Sequence, residues 1–117
     1  MSIEHNVEVF LKKVKKRIEK KQYDFIHDDM VRLTNLGLSI TDAINIVKHL
    51  GIENYYRGPT KDHRNHEQEI YEFGTKLDDL EIYIKLTIGI KDDLFIMSFH
   101  EAKKPIIYPF NKKGRYL

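Results

Sequence analysis

Residues 81–90, with the sequence EIYIKLTIGI, constrain the fold of this chain more than any other stretch. Isoleucine, leucine or a similar apolar residue occupies every second position, and Tyr83, Lys85 and Thr87 stand between them. A period of two residues is typical of a β-strand with one buried face and one exposed face. The sequence therefore predicts that this stretch is the central strand of a sheet.

Two aspartate pairs flank the predicted strand, at residues 78–79 and 92–93. Each pair can serve as a two-residue hairpin loop, which would make the neighbouring strands antiparallel and fix their register. The cross-strand pairs that this register predicts on one face are all apolar: Phe73 with Ile84, Phe99 with Leu86, and Met97 with Ile88. Agreement between loop length and apolar pairing supports the register, because a slip of one residue would turn every side chain to the other face.

On the opposite face, the same register places Glu72, Lys85 and His100 in one row across three strands. A carboxylate, an ammonium group and an imidazole side by side can form a reaction site. They can equally belong to a solvated face with one cross-strand ion pair, because antiparallel sheets commonly leave one side exposed to water. The pattern alone leaves both interpretations open.

The composition limits the chemistry. A chain of 117 residues has the length of one domain with a single core. It contains no cysteine, which excludes disulfides, thiolate nucleophiles and cysteine-based zinc sites. The amino-terminal region has no apolar run of the kind found in signal peptides and membrane spans. We expect a cytoplasmic protein that does not act at a membrane, and no cofactor is indicated.

Three helices are predicted before the sheet, at about residues 3–21, 25–36 and 40–50. Apolar residues recur every three or four positions in the first helix, and its other face is basic. That face can bind a phosphate backbone or an acidic protein, or it can simply be solvated. Asp24 is expected to cap the second helix and Gly37 to end it. Ser39 and Asp42 predict a capping box at the third.

Helices followed by an antiparallel meander at about residues 69–110 predict an α+β fold, with the amino-terminal helices packed on one face of the sheet. Pro105 to Phe110 is expected to be a short edge strand. The second and third helices also resemble a helix-turn-helix, so a DNA-binding regulatory module is an alternative. A non-enzymatic protein-interaction module that uses the basic first helix is another.

Residues 52–68 form the one long irregular stretch, and we expect an active-site loop here. Basic residues in it stand next to aromatic ones, which suits single-stranded nucleic acid, where cations bind phosphates and rings stack on bases. The expected RNA-binding residues are Tyr56, Lys61, Arg64 and His66. His63, His66 and His100 can instead bind a metal ion, but no carboxylate completes the set, so no metal site is predicted.

Four segments in order carry a resemblance to a known family: LGL at residues 36–38, Tyr55-Tyr56-Arg57, IYIKLT at 82–87 and FIMSFHEA at 95–102. In these segments the chain resembles the MqsR-type toxins of bacterial toxin-antitoxin pairs, which belong with the RelE-like ribonucleases. The resemblance implies an α+β toxin that cleaves mRNA and a cognate antitoxin that neutralises it. The ribosome is a further candidate partner.

The resemblance also implies roles for particular residues. The family's basic residue is Arg57 here, where lysine is usual, and arginine stabilises charge but does not carry protons. Its tyrosine is Tyr83, which we expect to orient the phosphate or stack on a base. The family's glutamine is matched by Gln68 in residue type and by Glu72 in strand position.

Metal-independent cleavage of RNA by the ribose 2′-hydroxyl needs a base, cations for the phosphorane charge and an acid for the leaving 5′ oxygen. We expect Arg57 and Lys85 to stabilise the charge. The expected base is Glu72 or a histidine of the loop, and the expected acid is His100 or His63.

Overall fold

The computed structural model describes residues 2–25, 29–61 and 68–111. Its helices are α1 (Ile3–Glu19), α2 (Asp29–Asn35), α3 (Ile40–Lys48) and a short 3-10 helix (Ile52–Asn54). Its strands are β1 (Tyr23–Phe25), β2 (Tyr55–Lys61), β3 (Glu69–Leu77), β4 (Leu80–Ile88) and β5 (Leu94–Glu101). Within these ranges, no helix has both the length and the apolar character needed to cross a bilayer.

The five strands form one sheet in the order β1-β5-β4-β3-β2, so β4 is central as predicted. Strands β2 to β5 pair antiparallel, and β1 pairs parallel to β5. The predicted α+β class is confirmed. The parallel strand at one edge makes the sheet mixed, which the sequence pattern did not indicate.

The amino-terminal helices cover one face of the sheet. Ile82, Ile84 and Leu86 of β4 are fully buried on this face, and the ring of Phe10 in α1 stacks on Tyr71 with 4.2 Å between centroids. Burying side chains of this size contributes roughly 1.5–3 kcal/mol each. The opposite face, which we call the open face, holds the alternate residues of each strand, among them Glu72, Tyr83 and His100.

The register of the first hairpin is as predicted. Leu77 pairs with Leu80, Phe73 with Ile84, and Glu72 with Lys85. Asp78 in the two-residue loop has a φ of 55°, a conformation that aspartate tolerates better than most residues.

The predicted register of the second hairpin is wrong. The loop spans residues 89–93, where the Gly89 amide bonds to the Asp93 carbonyl, so β4 and β5 begin to pair at Ile88 and Leu94. A bulge between Lys85 and Leu86 then shifts the pairing again. The observed pairs on the buried face are Ile84 with Phe99 and Leu86 with Ile96. On the open face His100 pairs with Tyr83, and Ser98 takes the expected place of His100 beside Lys85.

The predicted start of the second helix is also wrong. Asp24 lies in β1, where Tyr23 and Phe25 pack against the core, so it does not cap a helix. Val31 of α2 is 65% exposed. The predicted end of the second helix and the predicted start of the third are confirmed. Gly37 has a φ of 75°, and Ser39 and Asp42 form the capping box of α3.

The expected loop at residues 52–68 is in part a strand. Residues 55–61 form β2, an edge strand whose pairing with β3 is interrupted twice, between Tyr55 and Arg57 and between Arg57 and Thr60. The irregular part contains Gly58, with a φ of 117°, and a cis peptide bond to Pro59. An irregular edge strand and a loop share the same turn-rich composition, which is why the sequence suggested a loop.

Candidate functional site on the open face of the sheet

A buried carboxylate joins three adjacent strands on the open face. Glu72 of β3, whose side chain is only 5% exposed, accepts a hydrogen bond from Arg57 Nε of β2 at 2.7 Å. Its other oxygen accepts a short hydrogen bond from the Tyr83 hydroxyl of β4. A buried carboxylate is stable only when it is paired and hydrogen-bonded, and here both oxygens have a partner. Glu72 therefore fixes the positions of Arg57 and Tyr83.

These contacts shift the pKa values of Tyr83 and Arg57. Burial, and then the hydrogen bond to Glu72, raise the pKa of Tyr83 well above its ordinary value. The hydrogen bond to Glu72 also raises the pKa of Arg57. Both shifts favour the states that these groups already have at neutral pH, a protonated phenol and a cationic guanidinium. The Arg57 side chain is 61% exposed, so its remaining N–H groups are open to solvent.

His100 lies beside this group on β5. Its ring centroid is 5.2 Å from that of Tyr83. Its Nδ1 atom is 2.8 Å from the backbone oxygen of Glu101, and because a carbonyl only accepts, Nδ1 carries the hydrogen. The neutral imidazole is then left with Nε2 as an acceptor.

A cleft of about 250 Å³ opens above these side chains. The residues that line it are Tyr56, Arg57, Tyr83, His100, Ala102, Lys103, Lys104, Pro105 and Ile106. Among the described residues, the lining contains cationic side chains and no aspartate or glutamate. The Arg57 guanidinium carbon also lies 5.0 Å from the centre of the Tyr56 ring. Such a cleft favours an anion with flat apolar groups attached.

One wall of the cleft comes from residues 102–111, which we call the strap. The strap contains no strand, so the predicted edge strand at residues 105–110 is wrong. Glu81 of β4 holds it, accepting hydrogen bonds of 2.9 Å from the Ile106 amide and the Tyr108 hydroxyl. Pro105 and Pro109 lack the backbone N–H groups that a strand would use for pairing, which helps to explain why no strand forms here.

The strap lies directly on the sheet. A Cβ atom on Gly74 would come within 2.5 Å of Ile106 Cδ1 and 2.6 Å of the Tyr108 hydroxyl oxygen, so a larger residue would require these side chains to move. At the far end of the strap, Phe110 packs on Tyr55 with 5.4 Å between ring centroids. Sequence analysis did not select Lys103 and Lys104 as site residues. The available signal was a lysine pair just after a strand.

The remaining predicted site residues are more scattered. Lys85 lies opposite Glu72 and Ser98, half-buried, and does not line the cleft. Gln68 precedes β3 near Gly89, four residues or roughly 13 Å along the strand from Glu72, so it is not brought to the cleft. Lys61 is exposed at the end of β2. Three predicted residues lie outside the described ranges: His63, Arg64 and His66.

A second cleft of about 280 Å³ adjoins the first. Arg32, Asn35 and Leu36 of the α2 region line it, together with Glu101, and it shares His100 and Lys103 with the first cleft. His100 and Lys103 therefore form a ridge between two depressions. In residues 2–25, 29–61 and 68–111, no three histidine, aspartate or glutamate side chains gather as a metal ion would require.

The surfaces that DNA binding and protein binding would use, on α3 and α1, do not line the cleft. Helix α3 exposes Asp42, whose pKa is lowered by the hydrogen bond from the Ser39 amide, so a carboxylate stands where a DNA-reading helix would meet the duplex. The basic face of α1 is on the other side of the sheet from the cleft. Arg17 of that face is already paired with Asp92 at 2.9 Å.

Comparison with curated proteins gives no match. The sequence profile of one protein family matches residues 7–101, most of the chain, and the family is described as the motility quorum-sensing regulator, toxin of MqsA. The match includes Arg57, Glu72, Tyr83 and His100 and stops just before the strap. The chain therefore belongs to the MqsR toxin family.

Proposed function

We propose that this toxin of a toxin-antitoxin system is an endoribonuclease that cleaves mRNA in the cytoplasm without a metal ion. The observation that carries the proposal is the convergence of Arg57, Tyr83 and His100 on one cleft whose charged lining is cationic. A strand of RNA offers what this cleft favours, namely phosphates for the cations and bases for the rings.

In the proposed reaction the ribose 2′-oxygen attacks the adjacent phosphorus, and the bond from phosphorus to the 5′ oxygen breaks. The products are a 2′,3′-cyclic phosphate and a free 5′-hydroxyl. Negative charge accumulates on the phosphorane, and the exposed N–H groups of Arg57 lie in the cleft to stabilise it. Because Glu72 already holds Arg57 in place, little reorganisation is needed when the substrate binds.

The proposed base is His100, whose Nε2 accepts the 2′ proton when the ring is neutral. Glu72 is less suited to that role, because it is buried and both of its oxygens already accept hydrogen bonds. It acts as a positioning residue instead. Two candidates remain for the acid that protonates the 5′ oxygen: the hydroxyl of Tyr83, kept protonated by its raised pKa, and His63.

The proposed partners are mRNA, an antitoxin related to MqsA, and the ribosome if the RNA is presented there. The test is to induce the protein alone and together with the neighbouring open reading frame, while growth and total mRNA are followed. We expect growth arrest with falling mRNA, and recovery of both on co-expression. Growth arrest with intact mRNA would overturn the proposed nuclease activity.

A second arm uses purified protein and RNA. We expect cleavage to persist in EDTA, since the proposed chemistry uses side chains alone. If EDTA abolishes cleavage and zinc restores it, the result would instead favour a metal ion bound by the histidines. Salt-dependent binding of duplex DNA with no RNA cleavage would favour the DNA-binding alternative. Tight binding of one acidic protein with no cleavage would favour an interaction module.

A further inference from the structure

The strap gives the cleft two cations that the family match does not include. The match ends at residue 101, and Lys103 and Lys104 follow immediately. Both line the first cleft together with Arg57, and Lys103 also lines the second cleft. Neither lysine has an ion-pair partner among the described residues.

Lys103, Lys104 and Arg57 repel one another, so a structural feature must hold the two lysines beside Arg57 at the cleft. The strap is fixed at three places beyond the lysines: two hydrogen bonds to Glu81, close contact with Gly74, and the ring of Phe110 on Tyr55. Burial and the bond to Glu81 also raise the pKa of Tyr108, so its hydroxyl remains a donor above the pH at which an ordinary tyrosine ionises. The attachment therefore holds both lysines at the cleft rather than on a free chain end.

We propose that Lys103 and Lys104 are phosphate-binding residues of the RNA site, and that the contact between Glu81 and the strap is the device that positions them. RNA crossing the ridge of His100 and Lys103 has one nucleotide in each cleft, with backbone phosphates facing the lysine pair. This inference rests on the proposed ribonuclease function and adds a substrate-binding element to it.

The test compares cleavage of an unstructured RNA by the wild type and by the double variant Lys103→Ala/Lys104→Ala. We expect KM to rise about tenfold with kcat changed less than about twofold, because phosphate contacts made throughout the reaction supply uniform binding. The slope of log KM against log salt should fall by up to about 1.4, since each contact with single-stranded nucleic acid contributes roughly 0.7.

The matched control is Lys15→Ala/Lys16→Ala, an adjacent and exposed lysine pair of α1 on the other side of the sheet. We expect it to leave KM near the wild-type value. Equal changes in the two double variants would overturn the assignment, because they would reflect total charge alone. Tyr108→Phe keeps both lysines but removes one hydrogen bond to Glu81, and we expect a smaller rise in KM, of about two- to fivefold.

Binding of a fully 2′-O-methylated RNA, which lacks the attacking hydroxyl, separates this inference from the nuclease proposal. Fluorescence anisotropy should show weaker binding by Lys103→Ala/Lys104→Ala whether or not the wild type cleaves RNA. Wild-type affinity and salt slope in that variant would overturn the role of the strap and leave the nuclease proposal intact. If the wild type does not cleave RNA but the variant shows the expected loss of binding, the nuclease proposal is overturned and the role of the strap is supported.

Discussion

Tyr83 and His100 are cross-strand partners on β4 and β5, and their ring centroids lie 5.2 Å apart. The register set by the loop at residues 89–93 would by itself place His100 opposite Ile82, and the bulge at residues 85–86 brings it opposite Tyr83 instead. Bulges often re-aim a side chain in this way near functional sites. The carboxylate of Glu72 and the imidazole of His100 thus lie on two sides of one tyrosine.

Replacing Arg57 with alanine should abolish growth inhibition. The substitution removes the cation that the proposed mechanism uses for the phosphorane, and we expect cleavage to fall by about 10² to 10³. The fold should survive with reduced stability, because the Arg57 side chain is mostly exposed but the buried Glu72 carboxylate loses its charged partner. Circular dichroism and cleavage of a defined RNA are the measurements. Arg57→Lys keeps the charge and should retain part of the activity, and full toxicity of Arg57→Ala would refute the assignment.

Replacing Tyr83 with phenylalanine should also abolish growth inhibition while the ring remains in place. Glu72 loses one of its two partners, and the free energy of unfolding should decrease by about 1–3 kcal/mol. Urea denaturation measures the stability, and cleavage by the folded variant measures the activity. Tyr56→Phe is a suitable control, because its ring rather than its hydroxyl contacts Arg57. A Tyr83→Phe variant with wild-type cleavage would show that the hydroxyl is not needed.

Stability should decrease at alkaline pH in a way that depends on Tyr83 and Tyr108. Burial and the bonds to Glu72 and Glu81 raise the pKa of both phenols in the folded protein. Their contribution is therefore fully present below about pH 10, where an unfolded tyrosine titrates, and is lost as pH rises above it. Denaturation between pH 8 and 11 should show a shallower decline for Tyr83→Phe/Tyr108→Phe. Parallel curves for the two proteins would contradict this.

Replacing Glu72 with glutamine separates positioning from base catalysis. The amide has nearly the same shape and can still accept from Arg57 and donate to the Tyr83 hydroxyl, but it carries no charge, so both groups are held less firmly. We expect cleavage to fall about 10- to 100-fold while the shape of the pH-rate profile stays the same. A profile that loses its acidic limb would show instead that Glu72 is the base.

Replacing His100 with glutamine should slow cleavage by about 10² to 10⁴, the usual contribution of a general base. The pH-rate profile of the wild type should contain a limb that reports the general base, and the variant should lack this limb. His49→Gln is the control, because His49 is exposed at the end of α3 and its ring bonds to Asn45 rather than to the cleft. An unchanged profile in His100→Gln would exclude the imidazole as the base.

Local patterns in the sequence predicted much of the fold. The alternation in β4, the Asp78-Asp79 loop and the capping box of α3 each depend on residues close together in the chain, and all three are confirmed. The parallel strand β1 was missed because three residues are too few to show a period, and its partner lies about seventy residues away.

The candidate site was predicted only in part, for a related physical reason. Pairing across one tight hairpin placed Glu72 correctly, and Arg57 and Tyr83 now lie on either side of it. The position of His100 depends on a bulge, and no residue type in the sequence indicates where that bulge occurs. The position of the strap depends on a contact between Glu81 and residues about 25 positions later in the chain. Lys103 and Lys104 therefore looked like ordinary surface lysines.

The outer strands of the sheet also bear on how the protein behaves at high concentration. At one margin β1 contributes three of the described residues, and at the other β2 is broken by two register shifts and by Pro59, which has no amide hydrogen. Long unpaired margins invite other chains to add strands and start fibrils, whereas short or interrupted ones resist it. Accumulated toxin is thus protected from aggregating edge to edge by the same irregularity that turns Arg57 toward the cleft.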